Sequence, residues 1–185
     1  LTRIRAIPHV EIIRIGTRCP VTNPQRITPE LVAMLRKHHP LFVNTHFNHP
    51  KECTRDAYRA TQLLADAGIP IGNQMVLLRG VNEEPDVVKR LNQLLLMMRV
   101  KPYYIFLCDM GKGIGHFRTP IEAGIRIMEA LRGWTSGLAV PYLVIDSPGG
   151  GGKIPVIPDY FVERTDEKVV LRNFRGTIHT VYQPK

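Results

Sequence analysis

Residues 41–78, LFVNTHFNHPKECTRDAYRATQLLADAGIPIGNQMVLL, decide the fold. They begin with an apolar run at 41–46 and end with a second one at 69–78, and both runs are typical of buried strands. Between them, residues 54–67 have the apolar spacing of a helix, which Gly68 would close. A strand, a helix and a second strand in this order predict a parallel βαβ unit.

The same alternation continues on both sides of this unit. The further strands are predicted at 10–15, 103–107 and 142–145, and the further helices at 28–37, 83–98 and 119–131. Thr28 and Thr119 each precede a proline and are predicted N-caps. The pattern therefore predicts an α/β fold with helices outside a parallel sheet, arranged as a barrel or as a doubly wound sheet.

The end of the chain has a different pattern. Residues 168–171 and 177–182, around Gly176, predict a β-hairpin. With 185 residues, of which 44% are hydrophobic and 22% charged, the chain can bury one substantial core. We therefore expect residues 1–185 to form one domain, with βα units over about 1–140 and a glycine-rich loop and hairpin over about 141–185.

Composition narrows the function classes. Lys and Arg number 25 against 16 Asp and Glu, but this positive charge is dispersed and aromatic residues make up only 7%, which disfavours a nucleic-acid surface. No apolar stretch is long enough to cross a bilayer, so no membrane partner is expected. Cys19, Cys53 and Cys108 are odd in number and far apart, which predicts neither disulfides nor a CxxC metal site. A reducing, cytoplasmic location is the expectation.

Four consecutive glycines, residues 149–152, precede Lys153. They do not form a phosphate-binding loop, because Ser147 stands where that motif needs glycine and Ile154 stands where it needs Ser or Thr. Such a run suits a loop that swings or approaches a ligand closely, and an amine at its end is a candidate for reaction with a carbonyl. The same pattern is equally typical of a surface loop with a solvated lysine.

Polar residues stand where the predicted strands end. They are Arg14, Arg18, His46, Asn48, His49, Asn73, Gln74, Asp109, Asp146 and Lys153. In parallel βα folds these ends meet on the reactive face. His46 and His49 alone are more typical of loop histidines than of metal ligands, and the two aspartates could be turn caps. Together, Asp109 and Asp146 would make a negative pocket for an ammonium or guanidinium group, which suits a diamino acid near Lys153.

Nine ordered segments carry a family resemblance over nearly the whole chain. They are IPHVE at 7–11, RIG at 14–16, NTHFNHP at 44–50, LLADAGIP at 63–70, GNQ at 72–74, LLRGVN at 77–82, HFRTP at 116–120, LRG at 131–133 and PGGGGK at 148–153. The chain resembles the lysine 2,3-aminomutase family of radical S-adenosylmethionine enzymes. The resemblance implies the later strands of a partial (β/α)6 barrel, and an isomerase that moves an α-amino group to the β-carbon.

The resemblance also implies cofactors and residue roles. Lys153 would carry pyridoxal phosphate, and Asp109 and Asp146 would bind the side-chain ammonium of the substrate, L-lysine or another basic amino acid. The retained aspartates argue against glutamate as substrate. His46 and Gln74 would lie near S-adenosylmethionine. The full-length enzyme would be a homo-oligomer.

Three departures from the family pattern limit what this chain can do. The CxxxCxxC motif for the 4Fe-4S cluster is absent, so no metal ligand is expected in this chain, which would be inactive alone and part of a longer enzyme. Phe106 replaces a tyrosine near the cofactor, and Glu84 replaces a cysteine that binds zinc in some members. A non-catalytic cofactor-binding remnant and, last, a nucleic-acid-binding domain stay as alternatives.

Overall fold

A computed structural model describes residues 1–184. The helices are α1 Thr2–Arg5, α2 Cys19–Thr22, α3 Pro29–Arg36, α4 Arg55–Asp66, α5 Pro85–Met97 and α6 Ile121–Leu131. The strands are β1 Ile13–Gly16, β2 Leu41–Thr45, β3 Ile71–Leu77, β4 Val100–Leu107, β5 Tyr142–Asp146, β6 Lys153–Val156, β7 Phe161–Arg164, β8 Lys168–Arg172 and β9 Ile178–Tyr182. The fold is mixed α/β, as the alternation predicted.

The first six strands form one curled sheet in the order in which they occur along the chain, β1-β2-β3-β4-β5-β6. Strands β1 to β5 are parallel, and β6 is antiparallel to β5. A doubly wound sheet reverses its strand order at a switch point, and this sheet does not. Of the two predicted arrangements, the consecutive order matches the barrel-like one.

One of the two predicted N-caps is confirmed and the other is wrong. The Thr28 side chain accepts a hydrogen bond from the Leu31 N–H at 3.3 Å, as expected for an N-cap. Thr119 does not cap α6: the cap position is Pro120, one residue later, and no side chain caps this helix start. Thr119 therefore stands one position too early for its hydroxyl to serve the first free N–H groups.

The first strand begins three residues later than the sequence pattern predicts. The Arg5 guanidinium donates hydrogen bonds to the Val10 and Glu11 carbonyls, at 3.3 and 3.0 Å, and also to the Pro40 carbonyl, at 2.8 Å. The Val10 and Glu11 carbonyls therefore accept hydrogen bonds from a side chain and not from a neighbouring strand. Arg5 thereby ties the start of the chain to the turn before β2.

The core lies on the outer face of the sheet, between the strands and the helices. Leu41, Met75 and Ile105 from three strands are at most 2% exposed, as are Leu91 and Ile127 from α5 and α6. Burying an aliphatic side chain of this size contributes about 1.5–3 kcal/mol. Alternate strand residues point to the opposite, inner face, which holds the polar residues described below.

A second sheet holds the end of the chain, in the order β7-β8-β9 and antiparallel throughout. The predicted hairpin is confirmed as β8 and β9, with Gly176 at φ +81° in its turn. The pattern missed β7, whose four residues are all exposed and show no alternation. It also missed β6, which the next section describes.

Candidate active site at the inner face of the sheet

The glycine run lies in the loop of a β-hairpin, residues 147–152. Asp146 ends β5 and Lys153 begins β6, and the two residues are directly opposite each other in the ladder. The Ser147 N–H donates to the Gly152 carbonyl at 2.8 Å, which closes the turn. Gly149, Gly150 and Gly152 have φ between +72° and +82°, a backbone region that side chains disfavour. The four glycines therefore lie in the turn between β5 and β6.

This hairpin brings two of the predicted site residues into contact. Lys153 Nζ donates to Asp146 Oδ1 at 2.7 Å. The same ammonium lies 4.9 Å from the centroid of the Phe106 ring, within cation–π range. Both charged side chains are partly solvated, with 43% of Lys153 and 49% of Asp146 exposed. The amine is therefore paired and still accessible to a ligand.

Register places Gln74 on the same face of the sheet as Asp146 and Lys153. Gln74 is opposite Tyr104, which in turn is opposite Tyr142, four residues before Asp146. Side chains alternate along a strand, so Tyr142 and Asp146 point to the same side. Four residues of strand span about 13 Å, so Gln74 lies well below the ion pair along the strand direction. Gln74 and Lys153 line one concave surface without touching.

His46 follows directly after β2 and is half-buried. Its Nε2 is buried and has no hydrogen-bond partner among the described residues. Burial, and secondly the charge of Arg18, lower the pKa of His46, while Asn48 and Glu52 raise it. The net direction favours the neutral imidazole, whose Nε2 can donate to or accept from a ligand, depending on the tautomer.

Three buried asparagines hold the chain segment that carries His46. Strands β2 and β3 stop pairing at Thr45 and Asn73, and side-chain amides continue the connection. The Asn73 amide exchanges two bonds with the Phe47 backbone, at 2.7 and 2.9 Å. Asn82 accepts from the Leu78 N–H at 2.7 Å and donates to the carbonyls of Asn48 and Val76, both at 2.9 Å. Asn48 Oδ1 accepts from the Val76 N–H at 3.0 Å.

Glu52 holds the same segment from the other side. Its Oε2 accepts from the N–H groups of Asn48 and His49, the latter at 3.0 Å, and its Oε1 pairs with Arg18 at 2.8 Å. The His49 ring accepts from the Lys51 N–H at 3.1 Å and so caps a 3₁₀ turn. His49 therefore acts as a structural cap, in agreement with the loop interpretation of this residue.

Asp109 lies two residues past the end of β4, at the carboxyl edge that β5 shares. It is exposed, and within residues 1–184 its carboxylate makes no hydrogen bond or ion pair. The structure thus places both predicted substrate aspartates at neighbouring strand ends. Of these two aspartates, Asp146 is the one that contacts Lys153.

Comparison with known proteins identifies the family. Residues 128–185 match the family model described as Lysine-2,3-aminomutase. The L-lysine 2,3-aminomutase of Fusobacterium nucleatum is 60% identical over 185 residues, which are all of this chain and 44% of that protein. The protein of the same name from Clostridium subterminale is 59% identical over 184 residues, again 44% of its length. This chain belongs to the lysine 2,3-aminomutase family.

The lysine 2,3-aminomutase family also includes a relative named for another substrate. The glutamate 2,3-aminomutase of Clostridioides difficile is 50% identical over 178 residues, which are 96% of this chain and 42% of that protein. The chain spans less than half the length of these relatives. Family membership therefore relates this chain to 2,3-aminomutases and does not decide between lysine and glutamate as the substrate.

Sequence reasoning did not single out Glu52, and it did not predict the contact between Phe106 and Lys153 at this candidate site. Glu52 follows His49 by three positions, the spacing of a capping box, so that signal was present in the sequence. The contact of Phe106 with Lys153 had no local signal, because β4 and β6 meet only across β5. Among residues 1–184 there is no cluster of three or more His, Cys, Asp or Glu able to hold a metal ion. No helix in the same range is long and apolar enough to cross a membrane.

Proposed function

We propose that this chain supplies the substrate-binding and cofactor-binding part of a 2,3-aminomutase, an isomerase acting on L-lysine or another basic amino acid. The observation that carries the proposal is the contact of Lys153 with Asp146 on the open inner face of the sheet. This contact places a lysine amine, which can react with a carbonyl, next to a carboxylate, which can bind an alkylammonium group. The family supports the reaction class.

The residues around Lys153 fit pyridoxal phosphate. The ammonium is accessible, the Phe106 ring lies beside it, and the turn behind it has open space around Gly149 and Gly150. Pyridoxal phosphate, when bound, supplies an aldehyde that condenses with amines and delocalises electrons from the neighbouring carbon. Lys153 would hold it, and Asp146 and Asp109 would bind and orient the far ammonium of the substrate.

His46 and Gln74 fit a second ligand on the same face, for which we propose S-adenosylmethionine. The buried, unpartnered Nε2 of His46 supports this proposal, because an orphaned polar atom costs stability unless a ligand or water satisfies it. The described residues do not fit a 4Fe-4S cluster, since they contain no group of ligands for one. The residues of this chain therefore bind and orient, and we expect no turnover by this chain alone.

A basic substrate is proposed over an acidic one because of charge. Asp109 and Asp146 stand at adjacent strand ends, and a carboxylate side chain would meet like charge there. The proposed location is the cytoplasm, in keeping with Cys19, Cys53 and Cys108, which are all free thiols.

Borohydride reduction in the presence of pyridoxal phosphate tests the assignment of Lys153. We expect a reduced phosphopyridoxyl adduct on the peptide that contains Lys153, located by mass spectrometry, and its loss in Lys153→Ala. Lys168→Ala is the matched control, because Lys168 is also on a strand, 40% exposed and paired with a carboxylate. Equal labelling of wild type and Lys153→Ala would refute the assignment.

A further inference from the structure

A cavity lies on the outer side of helix α6, between that helix and the second sheet. Its volume is about 410 Å³, within the range of small-molecule sites. The helix packs so closely on the first sheet that a Cβ on Gly124 would lie 2.9 Å from the Leu143 side chain. Arg126, two positions after Gly124, is on the side of α6 away from the sheet and lines the cavity. The helix and the sheet therefore separate this cavity from the inner face that carries Lys153.

Two arginines and one glutamate bring charge to the cavity. Arg126 and Glu129 are neighbours on α6, three positions apart, and within residues 1–184 their side chains make no hydrogen bond or ion pair. Arg172 ends β8. Its backbone N–H donates to the Tyr160 carbonyl at 2.8 Å, and its Nη2 donates to the Asp159 carbonyl at 3.1 Å. A guanidinium has five N–H donors, so Arg172 keeps donors for a ligand.

The hydroxyl of Tyr160, which also lines the cavity, is buried and has no hydrogen-bond partner among the described residues. Burial raises the pKa of Tyr160; Arg132 lowers it, Glu129 raises it and Arg172 lowers it. The net direction is upward, so the hydroxyl keeps its proton at neutral pH and can donate it. An unpartnered buried hydroxyl costs stability, which an acceptor on a ligand would restore.

Two aromatic rings form the apolar wall of the cavity. Trp134 and Phe174 meet edge to face, with their centroids 5.1 Å apart, and remain 52% and 39% exposed. Gly133 allows this arrangement, because it has φ +84° and a Cβ there would lie 2.3 Å from Cγ of Phe174. The wall therefore depends on a glycine next to the end of α6.

We propose that this cavity binds a free α-amino acid with an aromatic side chain. The two arginines and the Tyr160 hydroxyl would bind its α-carboxylate, and Glu129 would bind its α-ammonium. Trp134 and Phe174 would pack against its ring. A zwitterion matches both signs of charge, whereas a simple anion would meet like charge at Glu129. This site is separate from the one at Lys153, and the inference does not rest on the proposed function.

Titration of this chain with L-phenylalanine tests the proposal, followed by calorimetry and by fluorescence. Trp134 is the single tryptophan of the chain, so its emission reports an occupant beside it. We expect saturable binding with a Kd of about 1 mM or less, and about 10-fold weaker binding of L-alanine, which lacks the ring. No saturable binding of L-phenylalanine, or equal affinity for L-alanine, would overturn the proposal.

Analogues and matched variants test the two charges separately. 3-Phenylpropionate lacks the ammonium and phenethylamine lacks the carboxylate, so both should bind wild type more weakly than L-phenylalanine. Glu129→Gln should weaken L-phenylalanine binding by about 3- to 10-fold without weakening 3-phenylpropionate. Arg126→Gln should weaken both carboxylates and not phenethylamine. Arg36→Gln, which removes an exposed arginine from α3, should change none of them. Equal losses for Arg126→Gln and Arg36→Gln would overturn the site, since only long-range charge would then be acting.

Tyr160→Phe separates a role in ligand binding from a role in the fold. It removes only the hydroxyl, which has no partner in the free chain, so the thermal midpoint of the free chain should not fall. The affinity for L-phenylalanine should fall by about 2- to 10-fold. A lower midpoint with unchanged affinity would overturn the place of Tyr160 in the site.

Discussion

The two ends of the candidate site are built in opposite ways. The segment carrying His46 is held by buried amides from Asn73 and Asn82 and by Glu52. The hairpin carrying Lys153 presents its amine through one exposed ion pair, on a turn of glycines. The first segment is therefore fixed by several buried hydrogen bonds, whereas the Lys153 side chain has one ion pair, which is partly solvated. Within one sheet, the two parts of the candidate site thus differ in how firmly their side chains are held.

The largest effect is expected from a substitution that disrupts the segment carrying His46. Asn82→Ala removes three hydrogen bonds and leaves buried partners unsatisfied, so we expect a loss of about 3 kcal/mol in the free energy of unfolding. Urea denaturation measures it. Asn92→Ala is the control: Asn92 is equally buried but makes one recorded bond, to the Ala139 carbonyl, and should cost about 1–2 kcal/mol. Equal losses would show that the amide network has no special role.

A smaller effect on stability is expected from a substitution in the turn of the hairpin that carries Lys153. Gly150→Ala places a side chain at φ +82°, where a Cβ costs about 1 kcal/mol although nothing crowds it. Gly16→Ala is the comparison, since that glycine has open space and no positive φ. Thermal denaturation of both variants should show a lower midpoint only for Gly150→Ala. An equal change in both would mean that the turn geometry is not the cause.

The pH dependence of stability sharpens the description of His46. Burial and Arg18 lower its pKa in the folded state, so the unfolded chain binds the proton more readily. The native state therefore keeps its full stability above pH about 6.5 and loses some as the pH falls below that value. His46→Gln should flatten this part of the curve, measured by urea denaturation between pH 5 and 8. A wild-type and a variant curve of the same slope would contradict the assignment of the proton to His46.

The smallest effect is expected at Lys153 itself. Lys153→Ala should change the free energy of unfolding by less than about 0.5–1 kcal/mol, because its ion pair is largely solvated. The borohydride label should vanish in the same variant. A large loss of stability would mean that Lys153 is a structural residue and that the two ends of the site are not built differently.

The sequence predicted the elements whose patterns are local. The run at 41–45 and the helix starting after Thr54 carry their own signals, in apolar spacing and in a capping hydroxyl. Strand β6 was not predicted because the four glycines before it are typical of a loop. Its pairing with β5 is visible only in the folded structure. For the site, Asp146 and Lys153 could be selected by residue type and position. Their contact, and the bridge that Asn82 makes to Asn48, depend on strands that sequence spacing alone cannot align.

The strand order has a consequence for how the sheet can grow. At one edge, β6 contains Pro155, which has no N–H to donate to a further strand. At the other edge, β1 has no proline, and no strand within residues 1–184 pairs with it on the side away from β2. Pro155 therefore interrupts the hydrogen-bonding edge next to the Lys153 hairpin, whereas the β1 edge carries no such interruption.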